Sequence, residues 1–392
     1  MDYGKIIEFL ESFLLPFLGV LTALFIATAL YHFSKPRSFK QNTLPNLPDD
    51  LKSREQQIIH LADRIRTGQS SAIIGFFSEE RRTILGYLRN ENPKQQEELY
   101  SDKANQLIFS YVDIAMDIDN ASSPQQFWEL ALAPLHLKMT DSEQLDKAYQ
   151  VCKDNQFNRR SLENLISLVN QQGWRLVLLL DKFEALLEYP HFQENWAFLT
   201  TLRSLAASRT PSPLVLIIAS NQSLKQFHEK IQHFSPSTSP VLNFIEPGVT
   251  TLGALSEKKL DKLLEQDESL LSQNARQVIK QMVGGHPYLL NVAVSEFWKA
   301  SPSGELEYLE MLEKAFYIRI QNELEDEIKT LSTSTCQAVF AVALQGELIN
   351  FEKDLKELET QGLIVKTNEQ WEIRSHILLK LLVDTQKLCR EQ

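Results

Sequence analysis

Residues 175 to 180 read Arg-Leu-Val-Leu-Leu-Leu and lead straight into Asp181. A stretch this apolar and this short is a strand covered on both faces, as happens in parallel sheets sandwiched between helices. Similar stretches occupy 71–76, 107–116 and 214–220, and 242–255 supplies a fifth candidate. Helical segments separate them, with Ile58, Ile59, Leu61, Ala62 and Ile65 at helical spacing before the first strand. Alternation of this kind predicts an α/β fold with a doubly wound parallel sheet, whose functional crevice lies beyond the C-terminal ends of the strands.

From Ser256, a plausible N-cap, the chain turns helical, which reads as a small helical lid. The last part, 325–392, has another rhythm. It runs helix, a short apolar step at Leu348-Ile349, helix, and then a hairpin turning at Thr367-Asn368, the order of a winged helix. At the other end, residues 13 to 33 carry no charge and are rich in Leu, Phe, Ala and Ile. As a helix this run spans about 31 Å, the thickness of a bilayer's hydrocarbon core, and it is expected to cross a membrane once. Lys35, Arg37 and Lys40 follow it directly, so the positive-inside rule puts the large C-terminal part in the cytoplasm. The expected organisation is a membrane segment (1–33), a Pro-containing tether (34–50), an α/β core (51–255), a lid (256–324) and a winged-helix unit (325–392).

A formal net charge of −11 and a pI near 5.4 speak against general affinity for nucleic acid, which needs an excess of Lys and Arg. The helix that would enter a DNA groove, 352–359, has four acidic residues against two lysines. The winged helix is therefore expected to dock on protein, through a partner or by self-association. Three widely spaced cysteines and eight scattered histidines show no zinc-ligand spacing.

Residues 75 to 85, Gly-Phe-Phe-Ser-Glu-Glu-Arg-Arg-Thr-Ile-Leu, follow the first strand where a phosphate-binding GxxxxGK[ST] loop would lie. Gly75 fits the first glycine. Glu80 stands for the second, Arg81 for the lysine and Arg82 for the hydroxyl residue, with Thr83 one place late. A carboxylate at Glu80 would oppose a triphosphate, and an arginine's planar fork is a poor substitute for a compact ammonium. The strand ending in Asp181 has the form of a Walker B motif, in which the carboxylate holds Mg²⁺. Lys182 takes the place where a water-orienting glutamate commonly follows, and Glu184 lies two residues further on. No catalytic residue is assigned on this basis.

Together these residues resemble the bacterial STAND and AAA-like P-loop NTPases, in particular those with an Arg-Glu box before the first strand. Arg54-Glu55 is similar to that box and Leu178–Glu184 to the family's Walker B. Ala219-Ser220-Asn221 matches its sensor position, and Gly285-His286-Pro287 its lid motif. The resemblance covers roughly residues 51 to 300. It implies a P-loop NTPase core in which Arg54, Gly75, Arg81, Thr83, Asp181 and Pro287 would face ATP or ADP, with Asp181 at the Mg²⁺. The departures at Glu80, Arg81, Arg82 and Lys182 put hydrolysis and then triphosphate binding in doubt. The expected function is that of a membrane-anchored scaffold or assembly switch with a degenerate nucleotide site. A slow ATPase that drives oligomerisation is the alternative, and a membrane-bound DNA-binding regulator a more distant one.

Overall fold

The computed structural model describes residue 44 and residues 46–119, 122–139, 142–193, 196–207, 211–234, 242–266, 271–300 and 309–385. The apolar run at 13–33 lies outside the described residues. Among those described, no helix is long and apolar enough to cross a membrane.

Five parallel strands form the sheet: β1 (Ser71–Gly75), β2 (Leu107–Asp113), β3 (Arg175–Asp181), β4 (Leu214–Ser220) and β5 (Val249–Leu252), in the order β2-β3-β4-β1-β5. β1 and β4 are buried along their whole length, and β3 at every residue but the first, which is why their sequences lack polar alternation. The helices of the sheet layer are α1 (Glu55–Thr67), α2 (Ser78–Leu88), α3 (Pro93–Tyr100), α4 (Pro124–Met139), α5 (Glu143–Asp154), α6 (Arg159–Gln171), α7 (Trp196–Ala207) and α8 (Leu224–Phe234), with single-turn helices at Ile114–Asp117 and Pro190–Gln193. Their starts and stops follow local chemistry. Asn158 caps α6 by accepting from the Ser161 amide, and α1 stops at Gly68, whose φ of 73° suits a residue without Cβ.

Seven helices and a hairpin complete the chain: α9 (Glu257–Gln266), α10 (Gln273–Val283), α11 (Pro287–Ala300), α12 (Leu309–Lys329), α13 (Thr333–Ala343), α14 (Glu352–Thr360), β6 (Ile364–Thr367), β7 (Gln370–Ile373) and α15 (His376–Asp384). One apolar core runs through them from Leu260 to Leu382, and α12 passes without a break across the 324/325 junction. The sheet has a separate core, from Ala72 to Ile245. Cys152 is a buried free thiol. Cys336 is disulfide-bonded, which the wide spacing of the cysteines gave no reason to expect.

Four local readings change. β2 ends at Asp113 rather than 116, because Asp113 accepts from the Ala115 and Met116 amides and so starts a helical turn. The fifth strand is confined to Val249–Leu252. The hairpin turns at Asn368-Glu369, both with positive φ, one residue beyond Thr367-Asn368. Most consequential, α2 begins at Ser78 and not near Arg82.

Candidate functional site

The early start of α2 removes the phosphate loop. A GxxxxGK[ST] cradle needs four residues between its glycines to fold backbone amides around an anion. Here β1 ends at Gly75 and the helix starts at Ser78, leaving Phe76 and Phe77 as the connection. Both rings are buried, meet edge to face at 5.0 Å, and belong to the C-terminal core, where Phe77 packs on His286 and Tyr288. The close approach that requires a glycine at 75 comes from protein: a Cβ there would lie 2.8 Å from the Leu252 Cβ of the adjacent strand.

The positive pole of α2, which would attract phosphate, already has an anion. Glu327, from α12, accepts a 2.5 Å hydrogen bond from the Ser78 amide and is buried. One turn on, Arg81 is only 1% exposed. Its Nη1 donates to the carbonyls of Gly75 and, at 3.0 Å, Phe76. Its Nε lies 3.8 Å from Asp181 Oδ1 and its Nη2 3.7 Å from Glu184 Oε1. The guanidinium thus stands beside the carboxylate at the tip of β3, where an NTPase would place its metal.

Arg54 closes the other side. Its Nε donates to Glu80 Oε1 at 2.7 Å and its Nη2 to the Gly253 carbonyl at 2.7 Å, with both ionic side chains buried. The glutamate that replaces the second glycine is therefore the counter-ion of the box arginine. Asp181 further accepts from the Tyr111 hydroxyl at 3.1 Å and from the Lys182 amide at 2.9 Å, and Lys182 holds a left-handed backbone with φ of 49°. At the rim, Asp113 lies between Arg82 (3.5 Å) and Lys182 (3.4 Å).

Burial raises the pKa values of Asp181, Glu184 and Glu327, and the charge of Arg81 partly offsets this in each. Burial pulls Arg81 the other way, but Glu327, Glu184, Asp181 and Glu80 together hold it above its usual value. The buried set contains two guanidinium groups and four carboxyl groups. A triphosphate brought here would meet an anionic excess in low dielectric, where each like-charge pair at 4 Å costs about 4 kcal/mol. These residues do not fit ATP with Mg²⁺: the amides are taken, a side chain fills the cation position and the surroundings are acidic.

Of the residues singled out by sequence, Arg54, Gly75, Arg81 and Asp181 come together at this centre. Thr83 does not. It is exposed on α2 and its hydroxyl donates to the Glu79 carbonyl at 2.7 Å. Pro287 starts α11 and lines a separate cleft of about 550 Å³ with Asp49, Asp50, Lys52, Leu264 and Leu290, which none of the other five reaches. Among the described residues, no group of three or more His, Cys, Asp or Glu side chains is arranged to hold a metal ion. Two members of the centre, Glu184 and Glu327, were missed. Glu327 had a signal, since it breaks the apolar phase of Ile320, Leu324, Ile328 and Leu331 on α12.

The sheet, its helices and the position of this centre define a P-loop NTPase-like α/β fold. No family model matches the chain, and no curated protein is similar to it. Among solved structures it is similar to the Walker-type ATPase of Pyrococcus abyssi, with a TM-score of 0.53 at 14% identity over 84% of this chain and 95% of that one. It is also similar to the ORC2 protein of Aeropyrum pernix, determined in ADPNP-ADP complexes, with a TM-score of 0.51 at 15% identity over 90% and 98%. At such identities the likeness is one of fold.

Proposed function

We propose that this chain keeps an NTPase fold for protein assembly and not for nucleotide chemistry. It serves as a scaffold or assembly switch on the cytoplasmic face of a membrane, anchored by residues 13–33. The supporting observation is Arg81: a buried guanidinium paired with Asp181 and Glu184 satisfies internally what ATP and Mg²⁺ would otherwise satisfy.

The segment from α13 to α15 has the order of a winged helix, and its second helix supports protein docking over DNA reading. Leu355 and Leu358 of α14 are buried. Asp354 accepts from Ser334 and Thr335, and Glu357 accepts from Gln361, so part of its polar edge is already bonded within the protein. A second reading, slow nucleotide-dependent oligomerisation, draws on the fold shared with a protein solved with ADPNP and ADP. Steady-state ATPase measurements on the purified chain with Mg²⁺ separate the two. The scaffold reading expects no turnover above a blank, and turnover abolished by Asp181→Ala would overturn it.

A further inference from the structure

The sheet core and the C-terminal core are packed separately, and the seam between them is polar. Across it Asn221 Nδ2 donates to Thr330 Oγ1 (2.5 Å), Gln222 Nε2 to the Thr330 carbonyl (3.0 Å) and Gln361 Nε2 to the Asn221 carbonyl (2.8 Å). The opposite ends of the same amides, Asn221 Oδ1, Gln222 Oε1 and Gln361 Oε1, are buried without a partner. Unsatisfied buried acceptors weaken an interface, because each loses its hydration without replacement. This seam is therefore softer than either core.

Two features bridge it with more than a neutral hydrogen bond between buried groups. Phe76 and Phe77 are the sheet-side members of the C-terminal core, inserted from the turn after β1. Glu327 reaches the other way, to the Ser78 amide at the start of α2 and the field of Arg81. The hinge end is fixed. Gly362, with φ of 76°, packs against Ala254 so closely that a Cβ would lie 2.2 Å from its nitrogen, and Leu255 donates to the Gly285 carbonyl. The segment after β5 thus moves with the C-terminal unit, leaving Leu252-Gly253 as the pivot.

We propose that the C-terminal helical unit is a clamp shut on the sheet by the Phe76–Phe77 plug and the Glu327 carboxylate, and that opening of this clamp is the movement through which the scaffold is regulated. This inference rests on reading the centre as one that does not take nucleotide. Opening would free the first turn of α2 and the 220–223 turn for a partner while both cores stay folded. The test is hydrogen exchange on the full chain without nucleotide, comparing wild type with Glu327→Ala and Phe77→Ala, and using Glu327→Gln and Phe77→Leu if the larger truncations do not fold. Exchange at 78–82, 220–223 and 331–335 is expected to quicken at least tenfold, with β3 and β4 unchanged. No acceleration, or equal acceleration in the seam and the strands, would overturn the clamp. ATP binding would overturn the reading of the centre and leave this nucleotide-free comparison intact, so the two failures are distinct.

Discussion

Replacing Arg81 by Met removes the charge at the middle of the buried centre while keeping an apolar stem. Asp181, Glu184 and Glu327, each at most 4% exposed, would then lack their shared cation. Breaking a buried ionic arrangement by deleting one partner costs about 3–5 kcal/mol. The compact unit runs from Asn46 to Gln392, about 350 residues. At about 2.1 cal/mol/K per residue its unfolding entropy is about 0.7 kcal/mol/K, so Tm should fall by about 4–7 °C. The loss should also depend on pH. Carboxyl groups whose folded pKa values are raised stabilise fully below their unfolded values near 4, and that contribution is lost as pH climbs through the raised values. Without Arg81, which lowers all three, those values climb further, so the deficit against wild type should be larger at pH 8 than at pH 5. Thermal melts followed by circular dichroism at both pH values measure this. A deficit below about 1 °C, or one that is larger at pH 5, would refute the assignment of Arg81 as the internal cation.

Three further outcomes are expected. Gly362→Ala should lower Tm by several degrees in the same melts, because positive φ and a 2.2 Å clash coincide, whereas Gly173→Ala, with φ of 77° but nothing near its Cβ, should cost less. His286 is buried against Arg54 and bonded to the Gly362 carbonyl, with its pKa pushed down to about 3; its imidazole nitrogen shifts should stay flat from pH 8 to 5, and the stability it confers should be lost as pH falls from about 6.5 towards 3. Arg54→Ala and Glu80→Ala should be strongly non-additive in a double-mutant cycle, while Thr83→Ala should stay within about 0.5 kcal/mol of wild type.

Much of the sheet was legible because β1, β3 and β4 are covered on both faces, which writes burial into the sequence as unbroken Ile, Leu and Val. The strand-tip aspartate was legible for the same reason, being the first charge after such a run. The start of α2 was misread, since alignment on a phosphate loop presumes four loop residues where only Phe76 and Phe77 connect strand to helix. Glu80 looked like damage to a phosphate site. Its partner Arg54 is 26 positions away, and nothing local shows that the two are a pair. Glu327 is remoter still, 249 residues from the amide it accepts from, and only its place on the apolar face of α12 set it apart. The transmembrane expectation concerns residues outside those described, and stands on hydropathy and flanking charge.

The central claim is that the protein's own side chains occupy the place of nucleotide and metal. A ligand that binds only the folded state at a hundredfold excess over its Kd raises stability by about 2.7 kcal/mol, which for a unit of this size is about 4 °C in Tm. The most direct test is the melting temperature of the full chain with and without millimolar ATP or ADP and Mg²⁺. The account predicts no change in either nucleotide; a Mg²⁺-dependent rise of several degrees that disappears in Asp181→Ala would contradict it.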